Sequence, residues 1–210
     1  MSEPVSDLES ASHEPTNLDP VPDHDLDHDL DLDLAQPVVH PLTRAARPVR
    51  VIDSKVDSLF TPLRRPLPVR LVEWFSHLGD GGAVWLLTLS VLGRKDPKAA
   101  LRAAAILGAG TIIVNGPVKK LTKRSRPEPL DPTAFRPSGS SFPSGHSFSS
   151  WLVTMMLPSS SKLRLPAAAV ASGITTSRVF LRYHHATDVI AGAALGATAG
   201  LLLRRIIRWR

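Results

Sequence analysis

From Leu71 onward the chain alternates apolar runs with short basic or polar connections, at roughly 71–93, 99–117, 147–161, 165–181 and 186–203. Their uncharged cores, such as Gly81 to Gly93, Ala103 to Val118 and Val189 to Leu203, are 13 to 16 residues long. A bilayer-spanning helix wants about 20 apolar residues, and runs of about 10 to 14 are more often buried helices of soluble proteins. Three features decide for the membrane. Five such runs almost without charge leave no polar outer face for a soluble bundle. The last run carries Gly192, Gly196 and Gly200 at four-residue spacing, the small-residue ridge along which membrane helices approach closely. The runs are also bounded by basic residues: Arg94, Lys95, Lys98 and Arg102, then Lys162 and Arg164, then Arg204, Arg205, Arg208 and Arg210. The pattern predicts an all-α integral membrane bundle of about five spans, or six, over residues 71–210.

Upstream, residues 44–70 are basic and Pro-rich, and Val51 to Leu63 has the pattern of a short amphipathic helix lying on a membrane surface or on the domain. Residues 1–43 are acidic, hold scattered prolines and contain no aromatic residue, so they bury too little apolar surface to offset the entropy of ordering and read as a disordered tail. Within them Asp23 to Leu34 reads DHDLDHDLDLDL, a strand-like alternation that also resembles a divalent-metal comb with His24 and His28. A row of mutually repelling carboxylates opposite leucines favours a solvated tail instead. The acidic, polar start is also unlike a secretory signal, so no export by cleavage is expected.

Composition sharpens this division. The 210 residues have a net charge of +6 and a mean hydropathy of +0.01, both of which are averages of two unlike parts. Eleven of the 19 acidic residues precede Arg44 and all 25 Lys and Arg stand at or after it, so residues 1–43 carry −11 and the remainder +17. There is no cysteine, which excludes disulfides, thiolate metal sites and cysteine nucleophiles.

Candidate chemistry lies in three fragments. The first is the basic run Lys119 to Pro127, by itself a membrane-flanking loop or a phosphate-attracting patch. The second is Phe142-Pro143-Ser144-Gly145-His146, where an apolar helix begins and its free N–H groups form an anion site. The third runs from Ser177 to Asp188, with His184 and Asp188 four apart, on one face of a helix. Hairpin crossings would bring all three to one membrane face, so Lys119, Arg126, Ser144, His146, Arg178, His184 and Asp188 are expected to converge.

K-x6-R-P (Lys119, Arg126, Pro127), P-S-G-H (Pro143 to His146) and S-R-x5-H-x3-D (Ser177, Arg178, His184, Asp188) resemble the three signature motifs of the type 2 phosphatidic acid phosphatase (PAP2) superfamily, in the same order. The resemblance spans residues 119–188, extended by flanking helices to about 71–206. Relatives usually have six spans, and no apolar segment before Leu71 supplies a first one here. The resemblance implies a membrane lipid phosphate phosphatase that needs no metal or other cofactor and works through a phosphohistidine. His184, held in one tautomer by Asp188, would attack phosphorus. Lys119, Arg126 and Arg178, with the Ser144 hydroxyl and the Gly145 N–H, would bind the phosphate oxygens. His146 would protonate the leaving alcohol and then activate water. His185 is the neighbouring rival nucleophile, but its spacing to Arg178 and Asp188 fits less well.

The implied partners are a bilayer and a lipid phosphate of the phosphatidate or polyprenyl phosphate class, with phosphatidylglycerol phosphate and polyprenyl-linked sugar phosphates also fitting, and not nucleic acid. Two other readings use the same residues. One is a vanadate-dependent haloperoxidase with a similar oxyanion pocket, although such relatives are larger and soluble. The other is a non-enzymatic basic membrane protein that binds acidic lipid. The connections opposite the motifs hold ten basic residues and one acidic residue, Asp96, so the positive-inside rule places the active site outside the cytoplasm.

Overall fold

The computed structural model describes residues 47–65, 67–128, 130 and 138–209, and every regular element among them is helical. The expectations for residues 1–43, including the Asp23–Leu34 comb, lie outside the described residues. The lead-in forms α1, Arg47–Phe60. Its inward positions Asp53, Val56, Asp57 and Phe60 follow helical spacing, and Phe60 packs edge-on against Phe180 with ring centroids 6.3 Å apart. Ile52 and Leu59 are exposed on its outer side.

The first apolar run is not one helix. It divides into α2, Val69–His77, and α3, Ala83–Gly93, around a 3-10 turn at Asp80–Gly82. Gly81 and Gly82 have φ of +58° and +76°, values that favour glycine and end the helix. The second run forms α4, Pro97–Ile113, started by Pro97 and by the Asp96 carboxylate, which accepts the Ala99 N–H at 3.0 Å. It continues through a π-helical turn, Val114–Val118, into α5, Lys119–Thr122. Pro117 in that turn brings no N–H, and the turn sets the direction in which Lys119 leaves the bundle. The last three runs give α6, Gly145–Met156, α7, Arg164–Phe180, and α8, Ala186–Ile207. The third run was expected to continue to residue 161, but α6 ends at Met156, just before Pro158, the cause being proline's incompatibility with a continuing helix. Among the described residues two helical stretches, Pro97–Thr122 and Ala186–Ile207, are long and apolar enough to cross a membrane.

At the centre stands α6, packed against α8, α7, α4 and α3. Its polar residues Ser147, Ser149, Ser150 and Thr154 are buried inside the protein, with Thr154 donating to the Ser150 carbonyl at 2.8 Å. Around it lie Trp85, Leu89, Ala103, Leu107 and Ile174, packed with its own Leu152. The seam between α6 and α8 is built on backbone. A Cβ on Gly192, Gly196 or Gly200 would strike the carbonyl oxygen of Ser144, Phe148 or Leu152, respectively. Two four-residue periods therefore interlock, one of glycines and one of carbonyls, at a separation that no larger residue permits.

The seam predicts an asymmetry among glycines. Gly196→Ala should destabilise the protein by about 1–3 kcal/mol through overpacking. Gly108→Ala on α4, where a Cβ meets nothing within 4 Å, should be neutral or stabilising by up to about 1 kcal/mol. Thermal unfolding of both variants in the same detergent checks this.

Candidate active site

The N-terminal ends of α6 and α8 meet at the top of the seam. Ser144, the N-cap of α6, donates its backbone N–H to the Asp188 carbonyl at 3.0 Å. Its hydroxyl oxygen accepts from Ser147 Oγ at 3.1 Å, which leaves its own proton available to donate. Gly145 begins the helix, where first-turn N–H groups lack intrahelical partners. Its missing Cβ matters, since one would lie 2.5 Å from Asn115 Oδ1.

His184 precedes α8 in a short loop and is 3% exposed. Its Nδ1 lies 2.6 Å from the Ser141 carbonyl and 3.8 Å from Asp188 Oδ2. Only N–H can donate to a carbonyl, so Nδ1 carries the proton and Nε2 the lone pair. A backbone carbonyl thus makes the close bond to Nδ1, and Asp188, expected to hold the tautomer, stands farther off because it is occupied elsewhere. Its Oδ2 accepts the His185 N–H at 2.9 Å in a capping box, and its Oδ1 pairs with Arg124. Burial pushes the His184 imidazole down to about 4, opposed by Asp188 and reinforced by Arg126 and Arg178. His185 turns away, its Nε2 3.2 Å from the Ser125 carbonyl.

Cations surround Nε2, the proton-free nitrogen of His184. Arg126 Nη1 stands 3.3 Å from His184 Nε2 and donates to the Tyr183 carbonyl at 2.7 Å. Arg178, buried at the end of α7, donates to Ser76 Oγ at 2.8 Å and lies 4.6 Å over the Tyr183 ring, whose hydroxyl is bonded to Glu73 at 2.7 Å. Both Arg126 Nε and Arg178 Nε are buried without a partner among the described residues. Lys119 is within electrostatic range of Arg126, Arg178 and Asp188 and lines a cleft of about 730 Å³ with Asn115, Lys120, Lys123, Arg124 and Ser140. Converging cations and helix N-termini are an arrangement for a tetrahedral oxyanion. His146, the second residue of α6, completes it, with Nε2 bonded to Asp80 Oδ1 at 2.6 Å.

A sequence profile of the PAP2 superfamily matches residues 99–210. The chain belongs to the PAP2 superfamily. It is 31% identical over 144 residues to a decaprenylphosphoryl-5-phosphoribose phosphatase of Mycobacterium tuberculosis, an alignment covering 66% of this chain and 80% of that one. A protein of the same description from Mycolicibacterium smegmatis is 31% identical over 122 residues, covering 56% and 67%. Among solved structures, the transmembrane PAP2 type phosphatidylglycerolphosphate phosphatase of Bacillus subtilis superposes with a TM-score of 0.65 at 25% identity, over 80% of this chain and 92% of that one. Aquifex aeolicus LpxE shares the fold with a TM-score of 0.56 at 23% identity, over 70% and 92%. This PAP2 protein is a membrane phosphatase, a phosphoric monoester hydrolase acting on lipid phosphates.

Two groups around the site escape its signature motifs. Asp80, joined to His77 and His146, sits within what reads as an apolar run, where the lone Asp-Gly-Gly was the available signal. Arg124 looks like any member of the basic run, yet it pairs with Asp188, with Asp53 of α1 and, at 2.8 Å, with Thr187. One guanidinium therefore neutralises two buried carboxylates and ties the lead-in helix to the third motif. Arg124→Leu should cost about 3–5 kcal/mol by leaving both unpaired. Adding Asp53→Asn should recover part of that loss, a non-additivity read from a double-mutant cycle of unfolding midpoints.

Proposed function

We propose that this phosphatase removes the terminal phosphate of a polyprenyl-linked sugar phosphate through a phosphohistidine at His184. The carrying observation is the position of His184 Nε2. Its proton-free nitrogen stands beside Arg126 while Nδ1–H is donated to the Ser141 carbonyl. In this reading Nε2 attacks phosphorus in line, forming the P–N bond as the P–O bond to the leaving alcohol breaks. Arg126, Arg178 and Lys119 hold the non-bridging oxygens, helped by the Ser144 hydroxyl and the Gly145 N–H. His146 gives its proton to the leaving oxygen, then takes one from the water that hydrolyses the phosphoenzyme. Asp188 supports the imidazole electrostatically across 3.8 Å, and no step calls for a metal. The substrate class is supported by the two mycobacterial relatives, and phosphatidylglycerol phosphate is the alternative supported by the Bacillus subtilis structure.

The catalytic unit in this reading is residues 71–210, with α1 bonded onto its active face. The chain crosses the bilayer on α3, on α4 with its extension α5, and on α6, α7 and α8, giving five passes. The central α6 has 12 residues, a rise of about 18 Å, and is shielded from lipid by its neighbours. The site faces away from the cytoplasm, supported by the ten basic residues at the opposite helix ends. On the active face Arg64, Arg124 and Arg182 are paired with Asp57 or Asp53 and serve the structure.

The purified protein in detergent should therefore release phosphate from a polyprenyl-linked sugar phosphate in preference to phosphatidylglycerol phosphate, as judged by kcat/KM on a panel of lipid phosphates. The reverse preference would replace the substrate and leave the mechanism standing. His184→Ala should lower kcat by about 10³-fold or more, and retention of substantial activity would exclude the mechanism. The acid limb of kcat/KM should lie near pH 4, where His184 takes its proton, and not near the ordinary imidazole value of about 6.5. The same depression makes folding stability fall as pH drops from about 6.5 towards 4, because the unfolded imidazole binds a proton that the folded one refuses.

A further inference from the structure

The turn between α2 and α3 carries a carboxylate bridging two imidazoles. Asp80 Oδ1 lies 2.6 Å from His146 Nε2, and Asp80 Oδ2 lies 2.6 Å from His77 Nδ1. Each nitrogen faces its own oxygen, which makes a bridge and not a ligand sphere. The side chains of His77 and Asp80 are 55% and 50% exposed, while that of His146 is 22% exposed, so the series runs from solvent towards the site. Backbone geometry sets it in place. A Cβ on Gly79 would lie 2.8 Å from His146 Cδ2, so glycine is what admits the ring. Gly81 and Gly82, both at positive φ, turn the chain immediately after Asp80. His77, Gly79, Asp80, Gly81 and Gly82 lie outside the three motifs and precede residue 99, where the family match begins.

We propose that Asp80 is the positioning residue of the acid–base histidine, holding His146 with Nε2–H on the carboxylate so that Nδ1 is the nitrogen that exchanges protons with the reaction. This rests on the role of His146 given above. The two histidines would then work through opposite nitrogens, His184 through Nε2 and His146 through Nδ1. As the P–O bond breaks, the Nδ1 proton of His146 passes to the leaving oxygen, and His146 becomes neutral with Nε2–H still on Asp80. In the second half, water adds to phosphorus and its proton goes to Nδ1 as the P–N bond breaks. The carboxylate stabilises the imidazolium at each end of the cycle. Its other charged or titratable neighbours are His77, Arg178 and Tyr183.

Leaving-group dependence tests this. Asp80→Asn keeps the size of the side chain and removes its charge. It should lower kcat/KM for an alkyl lipid phosphate by about 10- to 100-fold, as loss of acid–base assistance does. With p-nitrophenyl phosphate, whose leaving group needs little protonation, kcat/KM, which reads only the steps through phosphoryl transfer to His184, should change by less than about threefold, while kcat falls with the slowed hydrolysis of the phosphoenzyme. An equal loss of kcat/KM on both substrates, or no loss on either, would overturn the role of Asp80. His146→Ala in the same series separates the two levels. If it shows no leaving-group dependence, the underlying mechanism fails, whereas dependence in His146→Ala without it in Asp80→Asn removes this inference alone. ¹⁵N NMR of the wild-type histidines needs no variant: neutral His146 should be protonated at Nε2, and a proton at Nδ1 would contradict the proposal.

Discussion

The close approach of α6 and α8 is the constraint on which the rest of the structure depends. Gly192, Gly196 and Gly200 present bare Cα atoms to the carbonyls of Ser144, Phe148 and Leu152, the kind of close packing that associates helices where no hydrophobic effect drives them together. The seam also sets register. It brings the start of α6 level with the start of α8, so that the Ser144 N–H reaches the Asp188 carbonyl and two helix N-termini open towards one space. The second and third motifs are adjacent because their helices cannot slide. The π turn before α5 and the loop after it then deliver Lys119 and Arg126, while α7 brings Arg178.

Concentrating cations in a buried place is costly unless anions or hydrogen bonds compensate them. The protein divides this burden. Arg124, Arg64 and Arg182 are matched by Asp53, Asp57 and Asp188, and these pairs hold α1 and the third motif in place. Arg126 and Arg178 are instead only partly satisfied, by backbone carbonyls, a serine hydroxyl and the face of Tyr183. Donors fixed in this way need little reorganisation when charge develops on a phosphoryl oxygen, which is the source of electrostatic catalysis. The histidines show the same division between scaffold and chemistry. One nitrogen of each is committed to the protein, on the Ser141 carbonyl or the Asp80 carboxylate, and in the proposed mechanism the other serves the reaction.

Much of this could be read from residue order alone. The glycine period of the last run pointed to a close helix contact, the amphipathic lead-in is a helix, and the three motifs meet on one face of the protein. The parts that could not be read depend on contacts distant in sequence or on backbone angles. The break at Gly79–Gly82 lies inside an apolar run and follows from two positive φ values. The Ser141 carbonyl is 43 residues from His184, and a carbonyl has no side-chain signature. Arg124 differs from Lys123 only through its partners, Asp53 and Asp188, which are 71 and 64 residues away. Residue type was thus a good guide to the family and to which segments meet, whereas the pairing of like residues required the fold.

The central claim is that phosphorus passes through His184 Nε2. It is tested most directly by rapid acid-free quenching of the His146→Ala variant with ³²P-labelled p-nitrophenyl phosphate, whose leaving group departs without the missing acid, followed by proteolysis and peptide mass analysis. The account predicts an acid-labile, alkali-stable phosphoryl group on the peptide bearing His184 and localised to that residue, accumulating because hydrolysis lacks its base. Phosphoryl transfer localised to His185, or turnover of labelled substrate with no covalent intermediate, would contradict it.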